Sequence, residues 1–209
     1  MFISHEKFGQ IAWRYIPQLN SSCITFLRKM LLAPSNVGAI CPSSVALAQT
    51  MAHLLPPEAL YGQGLVLELG PGTGSVTSAL LGAGLPPQRL LLIECMPEFC
   101  HLLQQRFPDV NTVQGDAACM QRYIPAGKRV AAIVSSLPLL SMPPKQRENV
   151  IDAMKHTLDN EACIIQFTYS LWGNTPLSRK GYHAEMKKYV LYNIPPARVE
   201  RLRWSHSPS

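Results

Sequence analysis

Short apolar runs alternate with segments of helical periodicity over most of this chain. Continuous apolar runs of about four to eight residues are typical of strands that are buried on both faces of a parallel sheet. Such runs, bounded by Gly, Pro or polar residues, predict strands at 65–69, 89–94, 110–114, 130–135 and 162–169. Segments with one apolar helical face predict helices at 45–55, 76–81, 96–107 and 143–158. This alternation of strands and helices predicts an α/β fold.

Two more strand-like runs follow the fifth predicted strand, after a loop that contains Trp172, Tyr182 and His183. These runs, at 188–193 and 198–204, are close together and are joined across two prolines. That arrangement predicts a hairpin with antiparallel strands. We therefore expect a seven-stranded, Rossmann-like sheet that is parallel except for this C-terminal antiparallel hairpin, in which the last strand reverses direction.

The N-terminal segment has an amphipathic pattern of its own. Apolar residues recur at helical spacing over 4–16 and again over 22–32, and Trp13, Arg14, Arg28 and Lys29 add an aromatic ring and cations. A cationic, aromatic, amphipathic helix can lie in the plane of a membrane surface. The alternative is a pair of helices that only pack over the domain. We expect one domain over 1–209, with 1–34 as a helical membrane-binding or lid segment.

The most informative motif follows the first predicted strand, where Glu68 is followed by glycines at alternate positions, Gly70, Gly72 and Gly74. A strand, a glycine turn and a helix N-terminus form the first βα turn of nucleotide-binding α/β sheets. Glycine is needed where a side chain would block a ligand or where the backbone has positive φ. Glycine-rich turns also occur for structural reasons alone, but the complete string at a strand end favours a cofactor site.

Polar residues at the ends of the next two predicted strands extend this hypothesis. Glu94 ends the second strand, where a carboxylate can accept hydrogen bonds from both ribose hydroxyls of an adenosine cofactor. Gly115 and Asp116 end the third strand, so that Asp116 can bond an adenine amino group while Gly115 lets the ring approach. Asp116 can also cap the turn that follows, and the two roles are compatible.

The composition of the chain limits the class of protein and the kind of partner. The formal net charge is +6 and charged residues make up only 15% of the chain, which excludes a disordered, charge-rich protein and is compatible with an anionic partner. Six cysteines are scattered without metal-site spacing and mostly within apolar segments, so we expect reduced thiols, no structural zinc and a cytosolic protein. We also expect no transmembrane helix and no signal peptide.

These motifs resemble those of class I S-adenosylmethionine-dependent methyltransferases. The string from Glu68 to Gly74 matches the first motif of that family, whereas a dinucleotide dehydrogenase more often has a glycine where this chain has Ser75. The resemblance implies S-adenosyl-L-methionine as the cofactor and no metal. The implied cofactor-binding residues are Val37, Gly38, Ser43, Glu68, Gly70, Pro71, Gly72, Thr73, Gly74, Glu94, Cys95, Gly115, Asp116, Ala117 and Ser135.

Further segments resemble bacterial phospholipid N-methyltransferases, whose fold is similar to that of rRNA adenine dimethyltransferases. In order along the chain, these segments are 26–28, 37–44, 136–139, 166–169 and 193–199. The RNA enzymes have an Asn-Leu-Pro-Tyr-like string after strand four, and the sequence from Ser135 to Leu139 lacks both its Asn and its Tyr. This chain therefore lacks the amide acceptor and the aromatic ring with which those enzymes hold a flipped base. Ser35 departs from the lipid enzymes, which often have Arg there, so the headgroup preference can differ.

The resemblance implies N-methylation of phosphatidylethanolamine, towards phosphatidylcholine, by a protein attached to the inner leaflet of the cytoplasmic membrane. The alternatives are another amino-lipid such as ornithine lipid, an RNA adenine N6-methyltransferase, or a membrane-binding protein with a decayed cofactor site. No nucleic acid is expected as a partner. The candidate catalytic residues are Tyr169, Ser135 and Ser136, with Tyr169 alternatively a packing residue and His183 a weaker candidate base. The candidate substrate or membrane contacts are Trp13, Arg14, Arg28, Lys29, Tyr182 and Arg198.

Overall fold

The computed structural model describes residues 44–159, 161–193 and 195–204. All the predictions for residues 1–43 lie outside the described residues. These are the two amphipathic helices, the membrane-binding or lid segment, and the candidate residues Val37, Gly38 and Ser43. None of the helices in the described part of the chain is long and apolar enough to cross a membrane.

The described residues form one mixed seven-stranded sheet, in the order β3-β2-β1-β4-β5-β7-β6. Strands β1 to β5 are parallel, and β7 is antiparallel to both of its neighbours, β5 and β6. The predicted α/β fold with a C-terminal antiparallel hairpin is therefore confirmed. The strands are β1 (Leu65–Leu69), β2 (Leu90–Glu94), β3 (Asn111–Gln114), β4 (Val130–Ser135), β5 (Cys163–Thr168), β6 (Tyr182–Val190) and β7 (Ala197–Trp204).

Helices connect these strands. The α-helices of the described residues are α1 (Val45–His53), α2 (Pro57–Tyr61), α3 (Ser75–Gly82), α4 (Pro97–Arg106), α5 (Pro144–Thr157) and α6 (Pro176–Arg179). Two 3-10 helices, Pro87–Arg89 and Ala117–Tyr123, complete the set. Four of the six α-helices begin on a proline, a residue that suits the first helical position because it has no N–H to satisfy. Pro57 therefore starts α2, a short helix that the sequence pattern did not predict.

The core forms because the central strands are apolar on both faces. Every residue of β1 and β2 is buried, including Glu68 and Glu94. Helix α1 packs onto one face of the sheet through Leu47, Ala48, Met51 and Ala52. Burying a large aliphatic side chain contributes about 1.5–3 kcal/mol, so these strands dominate the stability of the sheet. Of the described cysteines, Cys100 and Cys163 are buried, and Cys95 and Cys119 are half-buried.

One part of the hairpin differs from the prediction. Strand β6 begins at Tyr182 rather than at 188, so Tyr182 and His183 pair with β7 instead of lying in a loop. Tyr182 is buried and its ring packs edge-on against Trp204, with ring centroids 5.1 Å apart. A register shift between Ala184 and Met186 interrupts the period-2 alternation of the strand. The first half of β6 therefore has no clear strand pattern in the sequence.

The direction of the strands determines which loops can meet. Strands β1 to β5 are parallel, so their carboxyl ends lie at one edge of the sheet, which we call the carboxyl edge. Strand β6 runs in the same direction as β5, because both are antiparallel to β7. Arg198 pairs with Thr168 on one side and Tyr189 on the other, so the end of β6 reaches the same edge as the end of β5. The turn between β6 and β7 is therefore also at the carboxyl edge.

Candidate cofactor and methyl-transfer site

The glycine turn, residues 70–74, leaves the end of β1 and leads into α3. Gly70, Gly72 and Gly74 have φ angles of 66°, 56° and 83°, which favour glycine. The N–H of Gly70 donates to the carbonyl of Ile93 (3.0 Å), and the N–H of Gly74 donates to the carbonyl of Pro71 (2.9 Å). The guanidinium of Arg106 donates to the carbonyl of Thr73. The turn is thus tied both to β2 and to α4.

The space around these glycines differs from one to the next. A Cβ on Gly74 would lie 2.5 Å from the ring of Phe107 and 2.9 Å from Leu103, which pack under the start of α3. A Cβ on Gly70 would lie 2.7 Å from a terminal carbon of Leu137. At Gly72 nothing lies within 4 Å of that position. Gly74 therefore serves close packing, whereas Gly72 leaves open the space beside the turn.

Glu94 joins the glycine turn to the end of β2. Its Oε2 accepts a hydrogen bond from the N–H of Gly72 (3.0 Å), and its Oε1 accepts one from the N–H of Met96 (3.0 Å). Burial raises the pKa of Glu94, and these backbone hydrogen bonds act in the opposite direction. The N–H and the thiol of Cys95 also donate to this carboxylate and lower its pKa. Its position fits the predicted ribose contact.

Glu68 is a fully buried acid on β1. Its Oε2 accepts a hydrogen bond from the hydroxyl of Thr77 on α3 (2.8 Å), and its Oε1 has no hydrogen-bond partner. Burial raises the pKa of Glu68 to about 8, the Thr77 hydrogen bond opposes that rise, and the nearby Glu94 adds to it. A buried oxygen without a partner is costly unless a ligand supplies a donor. The open space at Gly72 fits an adenosine-type cofactor.

At the end of β3, Asp116 forms the predicted cap, but a side chain of the protein occupies the space beside Gly115. The side chain of Asp116 caps the following 3-10 helix by accepting from the N–H of Ala118 (2.9 Å), and the residue is exposed. A Cβ on Gly115 would lie 2.4 Å from the ring of Tyr123, so this glycine makes room for an aromatic side chain of the protein itself. The sequence does not indicate Tyr123 as a site residue, because nothing near it in the chain places its ring over Gly115.

The segment after β4 lies beside the glycine turn. Ser135 is fully buried and its hydroxyl accepts from the N–H of Leu137 (3.4 Å), while the N–H of Ser136 donates to the carbonyl of Leu69 (2.9 Å). Buried Gln166 on β5 donates to the carbonyl of Leu137 (3.0 Å). The hydroxyl of Ser136 and Oε1 of Gln166 are buried without a hydrogen-bond partner. Unpaired acceptors and a hydroxyl at the carboxyl edge can receive a polar group of a substrate.

Tyr169 directly follows β5 at the same edge. It is half-buried, and its ring contacts Phe167 edge-on with centroids 5.4 Å apart. Ser135 pairs with Gln166, so Tyr169 continues the neighbouring strand three residues beyond that pair. The topology therefore brings the three candidate catalytic residues, Ser135, Ser136 and Tyr169, to adjacent strand ends.

Two of the candidate substrate contacts, Tyr182 and Arg198, do not lie exposed at the carboxyl edge. Tyr182 begins β6, which makes it a residue of the opposite, amino edge of the sheet, roughly 25 Å along the strand from the carboxyl edge. Arg198 is buried and forms an ion pair with Glu200 (3.2 Å), and its guanidinium donates to the carbonyls of Leu171 and Gly173. These surroundings give both side chains partners within the protein itself, and their predicted contact with a lipid stays a prediction.

The remaining predicted site residues form two groups, those at strand ends and those outside the described residues. Pro71, Thr73, Cys95 and Ala117 lie at the carboxyl ends of β1, β2 and β3, as expected from their places in the sequence. Val37, Gly38, Ser43, Trp13, Arg14, Arg28 and Lys29 lie outside the described residues. The carboxyl edge thus combines a glycine turn, a buried carboxylate at the end of β2 and an Asp after β3. That combination defines an α/β protein built to bind an adenosine-type cofactor.

Comparisons with known proteins agree with this class. Residues 66–161 match the family model described as "Methyltransferase domain". An ornithine lipid N-methyltransferase of Singulisphaera acidiphila is 26% identical over 177 residues, which cover 82% of this chain and 91% of that protein. A ribosomal RNA small subunit methyltransferase A of Synechococcus sp. is 40% identical over only 68 residues, 31% of this chain and 23% of that protein.

Solved structures share the fold. The 1,6-didemethyltoxoflavin-N1-methyltransferase of Burkholderia thailandensis aligns with a TM-score of 0.64 at 15% identity, over 91% of this chain and 93% of that one. A glycopeptide N-methyltransferase complexed with S-adenosyl-L-methionine aligns with a TM-score of 0.61 at 13% identity, over 81% and 99%. Residues 66–161 carry a methyltransferase domain, and the matches together support a class I S-adenosylmethionine-dependent methyltransferase with S-adenosyl-L-methionine as its cofactor. The predicted class and cofactor are confirmed.

Two glycine substitutions should separate cofactor binding from packing. Gly72→Ala adds a methyl group in open space at positive φ, so we expect a stability loss of about 1 kcal/mol and roughly tenfold or more weaker S-adenosylmethionine binding. Gly74→Ala overlaps Phe107, so we expect a loss of about 2–4 kcal/mol. Urea unfolding and calorimetric titration measure both effects. Unchanged cofactor affinity in Gly72→Ala would contradict this interpretation.

Glu68 should make stability depend on pH. Its pKa rises from 4.5 to about 8 on burial, so between those values the folded protein holds a proton that the unfolded chain has released. The free energy of unfolding should therefore fall as pH rises through this window. Glu68→Gln should remove a decline of at most about 5 kcal/mol, measured by urea unfolding without cofactor. The exposed Glu98→Gln is the control, and a wild-type slope in Glu68→Gln would refute the prediction.

Proposed function

We propose that this methyltransferase transfers methyl groups to the primary amine of a membrane lipid, with phosphatidylethanolamine as the acceptor. The observation that carries the proposal is the similarity to an amino-lipid N-methyltransferase over 82% of the chain. The proposed place of reaction is the inner leaflet of the cytoplasmic membrane, with residues 1–34 as a membrane contact. Repeated transfer would lead through mono- and dimethylated lipid to phosphatidylcholine.

In this proposal the protein mainly binds and aligns. S-adenosylmethionine supplies a methyl group on a sulfonium, already reactive toward an amine, so proximity and orientation account for most of the catalysis. Glu94 would bind the ribose, Gly72 would leave room for the cofactor, and Asp116 would bind the adenine. The lipid amine would lie against the segment after β4, near Ser135 and Ser136.

The amine must lose a proton before it attacks. An aliphatic ammonium has a pKa of about 10.4, so only a small fraction is neutral near pH 7. Partial desolvation at the buried Ser136 hydroxyl and Gln166 Oε1 would favour the neutral amine, and these atoms can accept its remaining hydrogens. The proton lost would pass to water.

Ornithine lipid is the second candidate acceptor, and a relative of that activity that is 26% identical to this chain supports it. It also presents a primary amine at a membrane surface, so the same site chemistry applies. RNA is less well supported, because the similar segment of the ribosomal RNA enzyme covers only 31% of this chain. The sequence from Ser135 to Leu139 also offers neither an amide nor an aromatic ring to a flipped base.

The acceptor can be tested directly with the full-length protein and S-adenosylmethionine labelled in its methyl group. Phosphatidylethanolamine vesicles, ornithine lipid vesicles and ribosomal RNA are offered separately, and the products are identified by mass spectrometry. We expect label in phosphatidylethanolamine. Label in ornithine lipid alone would replace the acceptor within the proposal, and label in RNA alone would overturn it. Mass spectrometry of lipids from cells that express the chain provides the test in vivo.

Tyr169 should affect turnover through its ring. An aromatic face beside the methylated ammonium is worth about 0.5–2 kcal/mol through cation–π attraction, so Tyr169→Leu should lower kcat/KM by about 2- to 30-fold. Tyr169→Phe retains the ring and is the matched control. Initial rates on lipid vesicles measure the effect. Equal losses in both variants would indicate a role for the hydroxyl, and no loss in either would indicate that Tyr169 only packs against Phe167.

A further inference from the structure

The large apolar side chains that remain exposed are concentrated at the carboxyl edge. Eight of them are exposed among the described residues. Six lie on loops or element ends at this edge and are here named the rim: Val45, Leu140, Trp172, Tyr189, Leu191 and Tyr192. Of the other two, Tyr61 lies at the opposite edge of the sheet and Met186 lies in the middle of β6. Trp172 is 80% exposed and Tyr192 is 95% exposed.

Strand topology explains why the rim gathers there. Leu140 follows β4 and Trp172 follows β5, so both emerge at the carboxyl edge. Tyr189 is near the end of β6, and Leu191 and Tyr192 belong to the turn between β6 and β7. The N–H of Ser44 donates to the side chain of Asn193 (3.3 Å), which brings the adjacent Val45 next to that turn. The rim therefore lies on the same edge as the methyl-transfer site.

Buried polar groups hold the rim loops in place. The guanidinium of Arg198 donates to the carbonyls of Leu171 (2.9 Å) and Gly173 (3.1 Å), which flank Trp172. The buried Asn193 donates to the carbonyl of Pro195 (2.7 Å) and closes the turn that carries Tyr192. An apolar side chain held out in water by a satisfied, buried scaffold indicates a binding surface rather than a loose loop.

The charges beside the rim favour an anionic partner. The segments that carry it, 44–46, 138–141, 170–175 and 186–193, contain no Asp or Glu. Lys187 and Lys188 are exposed on β6 directly before Tyr189, and the ammonium of Lys187 also lies 3.8 Å from a carboxylate oxygen of Glu200. Tyr and Trp favour the boundary between water and hydrocarbon, and cations near an anionic bilayer contribute to attachment.

We propose that the rim inserts into the headgroup region of an anionic bilayer. This docking would turn the carboxyl edge toward the membrane, so that a lipid amine reaches the segment after β4 while its acyl chains stay in the bilayer. That consequence rests on the proposed amino-lipid acceptor, whereas bilayer binding by the rim does not. A second copy of this chain fits less well, because each copy has a formal net charge of +6.

Paired variants of the full-length protein test this surface. Trp172→Ser with Tyr192→Ser removes two exposed rings, and Tyr61→Ser with Met186→Ser is the control, because Tyr61 is 72% exposed but lies away from the rim. Binding is measured by sedimentation with vesicles of phosphatidylethanolamine and phosphatidylglycerol. We expect the rim variant to bind at least about tenfold more weakly and the control to bind like wild type, because two large rings lose their membrane contact. Thermal unfolding and S-adenosylmethionine affinity should be unchanged in both.

Tryptophan fluorescence reports on the contact itself. Brominated lipids should quench wild-type emission, and Trp172→Phe should remove part of that quenching. Equal vesicle binding by the rim variant, or quenching that does not involve Trp172, would overturn the proposal. Failure of the wild-type protein to bind these vesicles would also overturn it.

The two proposals fail in different ways. If the rim variant loses vesicle binding but the wild-type protein methylates none of the offered lipids, the acceptor is wrong and the rim assignment stands. If the wild-type protein methylates an amino-lipid and the rim variant binds and turns over normally, the rim assignment is wrong and the acceptor stands.

Discussion

The hydrogen bonds accepted by Glu94 are the interaction on which the site depends. One buried carboxylate accepts the N–H of Gly72 through one oxygen and the N–H of Met96 through the other. The glycine turn and the start of α4 are therefore held by the same side chain. Backbone donors of this kind are directional, so the carboxylate orients the turn as well as retaining it. Loss of this group would change the shape of the cofactor site before it changed the core.

Two buried acids near this turn interact electrostatically. Glu68 and Glu94 both have raised pKa values because both are buried, and each negative charge disfavours the other, as the effect of Glu94 on Glu68 shows. Glu94 is compensated by backbone donors at both oxygens, whereas one oxygen of Glu68 has no hydrogen-bond partner. Protonation of Glu68 is the simplest way to relieve that imbalance in the protein without ligand.

Much of this architecture could be predicted from the sequence because its determinants are local. The apolar runs of β1, β2 and β4 are buried on both faces. The alternate glycines of the turn indicate a backbone with positive φ. The start of β6 could not be found, because a register shift near Glu185 breaks its alternation. The contacts of Arg198 could not be predicted for a different reason. Its partners, the carbonyls of Leu171 and Gly173, are more than twenty residues away in the chain, so its sequence context shows only a basic residue in a hairpin.

The position of β7 also constrains how the protein is made. Strand β7 lies between β5 and β6 in the sheet, although it follows both in the chain. During synthesis β6 therefore has no strand to pair with until residues 197–204 have left the ribosome. Until then β5 also presents an open edge, which is a site for pairing with other chains. A nascent chain that stalled before β7 would have β1 to β5 available to assemble but an unprotected sheet.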